Sequence, residues 1–452
     1  MDNNGLAILV MCGLFLFFGY AGVPVAFSLM AGVLVVTAAF TNVTLASMTD
    51  QLFNGIDVLD LLAVPFFLLV GELMGSADIT LRIVDFAQTL VGHLRSGLAH
   101  VVAISSMIFA GTSGSSTADV VAIGTVVLPA MEKEGYDPAF SAALVAAAST
   151  MANMIPPSIM AIIYGAVGNV SIGGLFLGGA TPGVMVGIGL MIYSYFFGPP
   201  GVRKQRSTFV EIARSAKMAA LPLLIPFIIV GGILTGQVTP TEAGMVAAVY
   251  VILVLIPLLN RGHFRKLHKD FMYSAVLYTL PMMAVAGASM FGWMLAYLRG
   301  PDVVSGWLQS LAGGHPDPRF ILFLLAAVFV IVGDFLDAIP AIIIFMPIIA
   351  AMVKVGHMNP VHTGVVVIVT LAFGLITPPY GLSLLLSATL AKVNFSTALV
   401  RSLPIYVVFF VVIALLILFP DLALWLPRWL LPQSVGCFPN PNGPGFICPP
   451  GA

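Results

Sequence analysis

Two short segments place polar and acidic residues in the middle of long apolar stretches. Residues 111–119 read GTSGSSTAD, and residues 333–340 read GDFLDAIP. Hydroxyl, carboxyl and unpaired carbonyl oxygens can bind Na⁺. An aspartate at the centre of a membrane helix costs about 2.5–3.5 kcal/mol of insertion free energy, so its presence needs a reason. We therefore predict binding sites at both segments. The structural alternatives are a packing seam of small residues for the first and a pair of protonated, hydrogen-bonded carboxyls for the second.

The first segment also favours an anion. Ser116 or Thr117 can cap the helix that follows, and Asp119 lies in its first turn. The helix over 119–131 would point its positive N-terminal end at the tip of the segment, where a carboxylate is stabilised. This pattern predicts that an anionic substrate and Na⁺ bind side by side.

Two proline pairs interrupt other apolar stretches, at Pro156-Pro157 and Pro378-Pro379. Proline lacks a backbone donor and restricts the residue before it, so nearby carbonyls lose their helical partners. Inside a membrane such carbonyls must find another donor or a cation. Because each pair follows one of the polar segments, we predict ion sites at the breaks. A simple kink, with the carbonyls satisfied by a neighbouring Ser or Thr, is the alternative.

The composition indicates what kind of element positions these residues. Of 452 residues, 60% are hydrophobic and 8% are charged, against about 25% charged in soluble domains. The formal net charge is -1. These values exclude a soluble enzyme, a disordered chain and a nucleic-acid binder, and no phosphate-binding loop for ATP occurs. The apolar runs are continuous rather than alternating, which predicts an all-α polytopic membrane protein and not a β-barrel.

The apolar runs predict ten crossings and two re-entrant hairpins. The hairpins cover 98–131 and 320–350, and each enters and leaves the membrane on one side, shielded by protein. Two of the crossings, 139–167 and 361–391, are the helices broken by proline pairs. The other crossings are 6–22, 24–40, 62–76, 175–197, 219–236, 240–258, 277–297 and 403–419.

Basic residues predict the orientation. With the N-terminus outside, every Lys and Arg except Arg299, Arg319, Lys354 and Arg428 falls on the inner side. This asymmetry agrees with the positive-inside rule. Both termini are therefore predicted to be periplasmic if the membrane is a bacterial inner membrane.

An internal repeat predicts the domain organisation. A shift of 216 residues maps Pro24 onto Pro240, and a shift of 222 maps one proline pair onto the other. We predict two inverted repeats, each with about five crossings and one re-entrant hairpin. The predicted boundaries are 1–197 for the first repeat, 198–218 for a cytoplasmic linker, 219–431 for the second repeat and 432–452 for a disordered tail rich in Pro and Gly.

Several spaced motifs together resemble a known family, the large membrane subunit of tripartite ATP-independent periplasmic (TRAP) transporters, DctM type. The resemblance covers residues 5–430 and is carried by GTSGSSTAD at 111–119, GYDP at 135–138, IPPS at 155–158, GGATPG at 178–183 and GLITPPYG at 374–381. It implies a secondary active, elevator-type symporter of the bacterial inner membrane, with scaffold and transport domains and no enzymatic activity. It further implies Na⁺-driven import of organic acid anions of the dicarboxylate, sugar acid or sialic acid class.

The resemblance also implies partners and site residues. The expected partners are a small four-helix membrane subunit, a periplasmic substrate-binding protein, the organic acid and membrane lipid, and no nucleic acid. The expected coupling ion is Na⁺, and no organic cofactor is expected. The expected Na⁺ ligands are Gly111, Ser113, Ser115, Ser116, Asn153, Pro156, Gly333, Asp334, Asp337, Thr377, Pro378 and Gly381. The expected substrate contacts are Ser113, Gly114, Ser115, Thr117, Asp119, Asp337 and Tyr380.

Three other functions remain open on the residues alone. A stand-alone Na⁺–anion symporter would share the same architecture. An intramembrane serine protease is suggested by Gly111-Thr112-Ser113-Gly114, with His100 as the nearest base. An assembly subunit would not need the paired helix breaks.

A few residues outside these motifs carry weaker expectations. Glu72, inside the crossing 62–76, is compatible with a buried pair, a coupling carboxylate or a residue near the interface, and the structural reading is favoured. The seven histidines fall in loops or near span ends and are expected at the surface. Cys437 and Cys448 would both lie outside, so a disulfide between them is a hypothesis.

Overall fold

The computed structural model describes residues 3–200, 205–311, 317–440 and 445–448. The first half is a series of α-helices: α1 (Asn3–Tyr20), α2 (Val25–Phe40), α3 (Leu45–Ile56), α4 (Ala63–Ser76), α5 (Thr80–Val91), α6 (Gly97–Ser113), α7 (Ser116–Lys133), α8 (Pro138–Ser149), α9 (Ile159–Gly168) and α10 (Ile172–Phe197).

The second half is also almost entirely helical. Its helices are α11 (Phe209–Leu234), α12 (Pro240–Tyr250), α13 (Ile256–Leu259), α14 (Leu267–Tyr297), α15 (Gly300–Leu311), α16 (Pro318–Phe335), α17 (Ala338–Val355), α18 (Pro360–Gly374), α19 (Leu382–Leu390), α20 (Phe395–Leu418) and α21 (Asp421–Leu430). A π-helical turn (Val251–Leu255) joins α12 to α13, and short 3₁₀ helices cover Leu59–Leu62, Thr150–Asn153, Arg261–Lys266 and Pro432–Val435.

Apolar helices dominate the part of the chain that the structure describes. Nine helical segments there are long and apolar enough to cross a membrane, judged by length and composition. Four shorter apolar helices, α2, α6, α9 and α18, accompany them. The predicted all-α polytopic class is therefore confirmed. The inverted relation of the halves, the exact repeat boundaries and the elevator division remain predictions.

The segments of both predicted hairpins form pairs of helices joined by very short turns. Helices α16 and α17 are also among the segments long and apolar enough to cross a membrane, so re-entry remains a prediction. Helices α6 and α7 are separated by Gly114 and Ser115, and α16 and α17 by Leu336 and Asp337. The hairpins and broken helices of the two halves pack on one another: α7 lies against α19, α17 against α9, and α16 against α18. A second group surrounds α14, which packs on α2, α3, α4 and α17.

Four amphipathic helices were not among the predicted crossings. These helices, α3, α5, α15 and α21, have 10 to 12 residues each and alternate apolar and polar faces. They are too short and too polar to span about 30 Å of hydrocarbon, so a search for continuous apolar runs passes over them.

The predicted cytoplasmic linker over 198–218 contains the start of a helix. Helix α11 already begins at Phe209, because Thr208 and Glu211 form a reciprocal cap. The Thr208 amide donates to a Glu211 carboxylate oxygen at 2.7 Å, and the Glu211 amide donates to the Thr208 hydroxyl at 3.4 Å. The charged residues of the first turns concealed this helix start. Part of the linker, 201–204, lies outside the described residues.

The tail is not disordered where the structure describes it. Two short antiparallel strands, β1 (Phe438–Pro439) and β2 (Phe446–Ile447), are closed by the hypothesised disulfide between Cys437 and Cys448. The side-chain amide of Asn359 donates to the Val435 carbonyl at 3.3 Å, which ties this segment to the start of α18. Residues 441–444 and 449–452 of the predicted tail lie outside the described residues.

Three histidines are buried rather than exposed: His100, His263 and His362. The ring Nε2 of His362 lies 2.8 Å from the Leu416 carbonyl oxygen, and His263 contacts the Asp270 carboxylate. These two histidines are therefore satisfied inside the protein by local partners.

Candidate functional site

A cavity of about 1160 Å³ lies between the two hairpins and the helices of the group around α14. One wall is formed by α7, by the tip of the α16–α17 hairpin and by the second helix break. The opposite wall is formed by α1, α2, α4 and α14. A cavity of this size can hold a small organic molecule with water or ions.

The tip of the first hairpin contacts the first helix break through the backbone. Gly114 has a φ of 62°, a left-handed conformation that suits glycine. Its carbonyl accepts a hydrogen bond from the Ile159 amide at 3.3 Å. A Cβ atom at Gly114 would lie 2.6 Å from the Pro157 carbonyl oxygen, so a larger residue does not fit here.

The tip of the second hairpin makes the equivalent contact. The Asp334 carbonyl accepts a hydrogen bond from the Tyr380 amide, directly after the second proline pair, at 3.2 Å. The Thr377 hydroxyl donates to the Asp334 carboxylate. Gly333 and Gly374 touch at this point, since a Cβ atom on Gly374 would lie 2.7 Å from the Cα of Gly333. In both halves, therefore, a hairpin tip is fixed to the broken helix that follows it.

Neighbouring hydroxyls satisfy some of the carbonyls that the breaks release. The Ser158 hydroxyl donates to the Asn153 carbonyl at 2.5 Å, and the Tyr406 hydroxyl donates to the Ile376 carbonyl at 2.7 Å. The simple-kink alternative therefore holds for these two carbonyls.

Other polar atoms near the first hairpin stay unsatisfied. Among the described residues, the Ser113 hydroxyl, the side-chain nitrogen of Asn153 and both carboxylate oxygens of Asp119 are buried without a hydrogen-bond partner. Buried polar atoms normally have partners. The Ser113 hydroxyl oxygen is thus free to join a cation site, as the sequence predicts.

The structure brings part of the predicted site to the cavity. Thr117, Asp334, Asp337 and Tyr380 line it, and the Asp337 carboxylate also accepts the Ala338 amide at 2.8 Å. The other predicted residues lie behind the wall, in the hairpin tips and the breaks, and do not line the cavity: Gly111, Ser113, Gly114, Ser115, Ser116, Asp119, Asn153, Pro156, Gly333, Thr377, Pro378 and Gly381.

Two of these residues pack in places that the sequence does not indicate. A Cβ atom at Gly111 would lie 2.8 Å from the Pro226 side chain, so this glycine provides close packing against α11. Asp119 is fully buried and faces Ser106 of α6, away from the cavity.

The cavity also contains residues that the sequence reasoning missed. Leu68, Gly71, Glu72, Gly75 and Ser76 line it from one face of α4. Their spacing of three and four residues is the signal that could have identified this face, because it places all five on one side of a helix. Tyr20 and Tyr273 line the cavity as well.

The charges of the cavity have one sign. Its acidic residues are Glu72, Asp334 and Asp337, and none of the lining residues that the structure describes is Lys, Arg or His. Helix α7, which begins at Ser116, and helix α17, which begins at Ala338, start at this cavity and supply positive ends of helix dipoles. An anion therefore requires these helix ends, added cations or both.

The protease alternative has no geometric support. His100 and Ser113 both lie on α6, where a rise of 1.5 Å per residue places them about 20 Å apart. A nucleophile and its base must be within hydrogen-bond reach.

Comparisons with known proteins identify the family of the chain. The family model described as "Tripartite ATP-independent periplasmic transporter, DctM component" matches residues 11–422. The sialic acid TRAP transporter large permease protein SiaM of Vibrio cholerae is 35% identical over 91% of this chain and 96% of its own length. The 2,3-diketo-L-gulonate TRAP transporter large permease protein YiaN of Escherichia coli is 33% identical over 94% and 100%.

A third relative supports the family, and a solved structure supports the fold. The C4-dicarboxylate TRAP transporter large permease protein DctM of Pseudomonas aeruginosa is 33% identical over 86% of this chain and 91% of its own length. The solved YdaH transporter of Alcanivorax borkumensis has a similar fold, with a TM-score of 0.59 at 14% sequence identity over 92% of this chain and 98% of that one. The chain therefore belongs to the DctM family of TRAP transporter large permease subunits, which are membrane transporters and not enzymes.

Proposed function

We propose that this chain is the permease subunit of a Na⁺-coupled, binding-protein-dependent importer of organic acid anions in a bacterial inner membrane. The observation that carries the proposal is the acidic cavity between two hairpin tips, with no basic residue among its described lining. The three acids of such a cavity repel an organic anion, and cations bound with the anion oppose this repulsion together with the helix ends. Sodium ions bound at the hairpin tips would remove this repulsion and so couple the two fluxes.

The residues near both tips fit small cations. At the first tip, the buried Ser113 hydroxyl has no hydrogen-bond partner among the described residues. At the second tip, the carboxylates of Asp334 and Asp337 lie within four residues of each other at the cavity wall. Unwound backbone beside a half-helix is the setting in which transporters bind Na⁺ and substrate carboxylates.

The partners are proposed from the family. A separate small membrane subunit and a periplasmic substrate-binding protein would complete the transporter, and both termini would face the periplasm. The disulfide between Cys437 and Cys448 supports this orientation, because structural disulfides form in oxidising compartments. In the proposed elevator mechanism, the hairpins and broken helices move as a transport domain against the helices around α14.

Coupling to Na⁺ can drive substantial accumulation. If two Na⁺ enter with one monoanion, one net positive charge crosses. The membrane potential then contributes about 2.3 kcal/mol per 100 mV, which corresponds to roughly a fifty-fold concentration ratio. The Na⁺ gradient adds to this ratio.

Uptake by proteoliposomes tests the proposal. The permease would be reconstituted with its small subunit and binding protein, and sialic acid, 2,3-diketo-L-gulonate and C4-dicarboxylates would be supplied in turn. We expect one of them to accumulate under an inward Na⁺ gradient and not when choline replaces Na⁺. Accumulation that ignores both Na⁺ and membrane potential would contradict the coupling. Uptake that persists without the binding protein would identify a stand-alone symporter instead.

A further inference from the structure

Glu72 occupies the centre of the α4 face that lines the cavity. Leu68 and Gly71 precede it on this face, and Gly75 and Ser76 follow it. Gly71 packs against the first hairpin, since a Cβ atom there would lie 3.0 Å from the Ser113 Cβ and 3.3 Å from the Ala118 Cβ. Glu72 is thus held beside the tip of the first hairpin by close packing of the backbone.

Glu72 is also the cavity carboxylate that has no hydrogen-bond partner within the described chain. Asp334 accepts the Thr377 hydroxyl, and Asp337 accepts the Ala338 amide. Both of these acids also belong to the predicted Na⁺ site. Glu72 lies on the opposite wall and is not part of that site.

His263 and Asp270 both interact electrostatically with Glu72, and they are already paired with each other. The ring Nε2 of His263 lies 2.7 Å from the Asp270 carboxylate and 3.2 Å from the Ser76 hydroxyl. His263 and Asp270 are both buried. The histidine is therefore committed to one carboxylate and does not cancel the charge of Glu72, which faces the cavity.

We propose that Glu72 determines substrate specificity: it selects organic acids with a single carboxylate and with hydroxyl or ammonium groups elsewhere, and it excludes a second carboxylate. This inference rests on the proposed transport of organic anions. The helix starts at the cavity receive the one carboxylate, and Glu72 accepts hydrogen bonds from donor groups. A second carboxylate placed beside Glu72 would be repelled in a partly buried site, where like charges interact strongly.

Equilibrium binding of a matched pair of acids tests this role. Gluconate and glucarate share a six-carbon hydroxylated chain, but glucarate carries a second carboxylate in place of the terminal hydroxyl. Binding to the purified permease with its small subunit would be measured by calorimetry in NaCl. We expect gluconate to bind the wild type about tenfold or more tightly than glucarate, and Glu72→Gln to reduce this ratio to about twofold or less.

The matched control is Glu132→Gln, because Glu132 is exposed at the far end of α7 and does not line the cavity. This variant should keep the wild-type ratio. Thermal unfolding in NaCl would establish that Glu72→Gln is folded.

Three results would overturn the inference: equal binding of both acids by the wild type, an unchanged ratio in Glu72→Gln, or binding of neither acid. Because the measurement needs no ion gradient, it is independent of the uptake assay. If the permease distinguishes gluconate from glucarate at equilibrium but shows no Na⁺-driven uptake, the role of Glu72 is supported and only the proposed coupling of transport to Na⁺ is contradicted.

Discussion

At the scale of single residues, the two acids of the second hairpin both fix the local structure and line the cavity. Asp337 caps the start of α17, accepts a hydrogen bond from the Ala338 amide and lines the cavity. Asp334 is held by Thr377 from the broken helix. A cation here would bind hairpin and break together, and the occupied site would be more rigid than the empty one.

Replacing Asp337 by Asn should weaken Na⁺ binding by about tenfold or more, because the partly buried site loses a full negative charge close to the ion. The measurement is the midpoint of Na⁺-dependent thermal stabilisation of the purified permease, with choline chloride as the reference salt. Asp302→Asn, at an exposed position on α15, is the control and should leave the midpoint unchanged. An unchanged midpoint in Asp337→Asn would remove this carboxylate from the ion site.

Gly114 is expected to tolerate no side chain. Gly114→Ala combines the cost of a left-handed backbone, about 1–2 kcal/mol, with a Cβ atom 2.6 Å from the Pro157 carbonyl oxygen. Gly135→Ala is the matched control, because Gly135 has a φ of 81° but no atom within 4 Å of the added Cβ. We expect a larger loss of Tm and of uptake for Gly114→Ala. Equal losses in the two variants would mean that the contact between hairpin and break contributes nothing.

The residue scale also marks the limit of sequence reasoning. Asp334 and Asp337 could be assigned to a site because acids inside an apolar stretch require a reason, whereas Thr117 and Tyr380 were named through the family resemblance; all four line the cavity. The cavity face around Glu72 could not, since a single acid within an apolar helix is equally compatible with a buried pair. Its neighbours Ser76 and His263 are close only because α4 meets the 3₁₀ helix Arg261–Lys266 in the folded protein.

At the scale of elements, length and apolarity were sufficient to predict an all-α membrane protein and the helices in its apolar stretches, whereas which segments cross and which re-enter remains a prediction. The four amphipathic helices were not predicted, because the periodic spacing of their apolar residues identifies them and their mean hydropathy does not. The start of α11 was not predicted, because the polar residues of its capping box carry no signal in a search for apolar runs. The tail was misjudged because Pro and Gly content indicates disorder only when no covalent link closes the segment.

The disulfide should stabilise the tail locally. In Cys437→Ser/Cys448→Ser, the strands β1 and β2 lose the covalent closure of a short loop, worth about 2–3 kcal/mol. We expect faster hydrogen exchange over residues 436–448 and unchanged exchange in α6, α7, α16 and α17. The wild-type protein with both cysteines oxidised is the reference. Faster exchange in the hairpins as well would show that the tail supports the whole permease.

At the scale of the whole molecule, the decisive question is whether the first hairpin moves against α4. The two pack closely, since a Cβ atom at Gly75 would lie 3.5 Å from the Cβ of Ala122. This spacing falls in the range that a disulfide bridges. The pair Gly75→Cys/Ala122→Cys, in a Cys12→Ala background, should therefore cross-link under mild oxidation.

If the hairpins belong to a moving transport domain, the cross-link should abolish uptake by proteoliposomes, and reduction should restore it. Each single cysteine variant is a control and should transport before and after oxidation. Reduction also opens the bond between Cys437 and Cys448, so the parent protein under reducing agent is a second control. Full uptake by the cross-linked protein would exclude relative motion of these two elements.

Each joint between a hairpin tip and a broken helix contains a main-chain hydrogen bond: Ile159 to Gly114, and Tyr380 to Asp334. Side-chain replacements leave such amide-to-carbonyl links in place, provided that the glycine at the first joint is kept. The residues that contact the substrate can therefore change in sequence while these main-chain joints are kept. One scaffold could in this way serve chemically different nutrients, with adaptation confined to a few positions on the cavity wall.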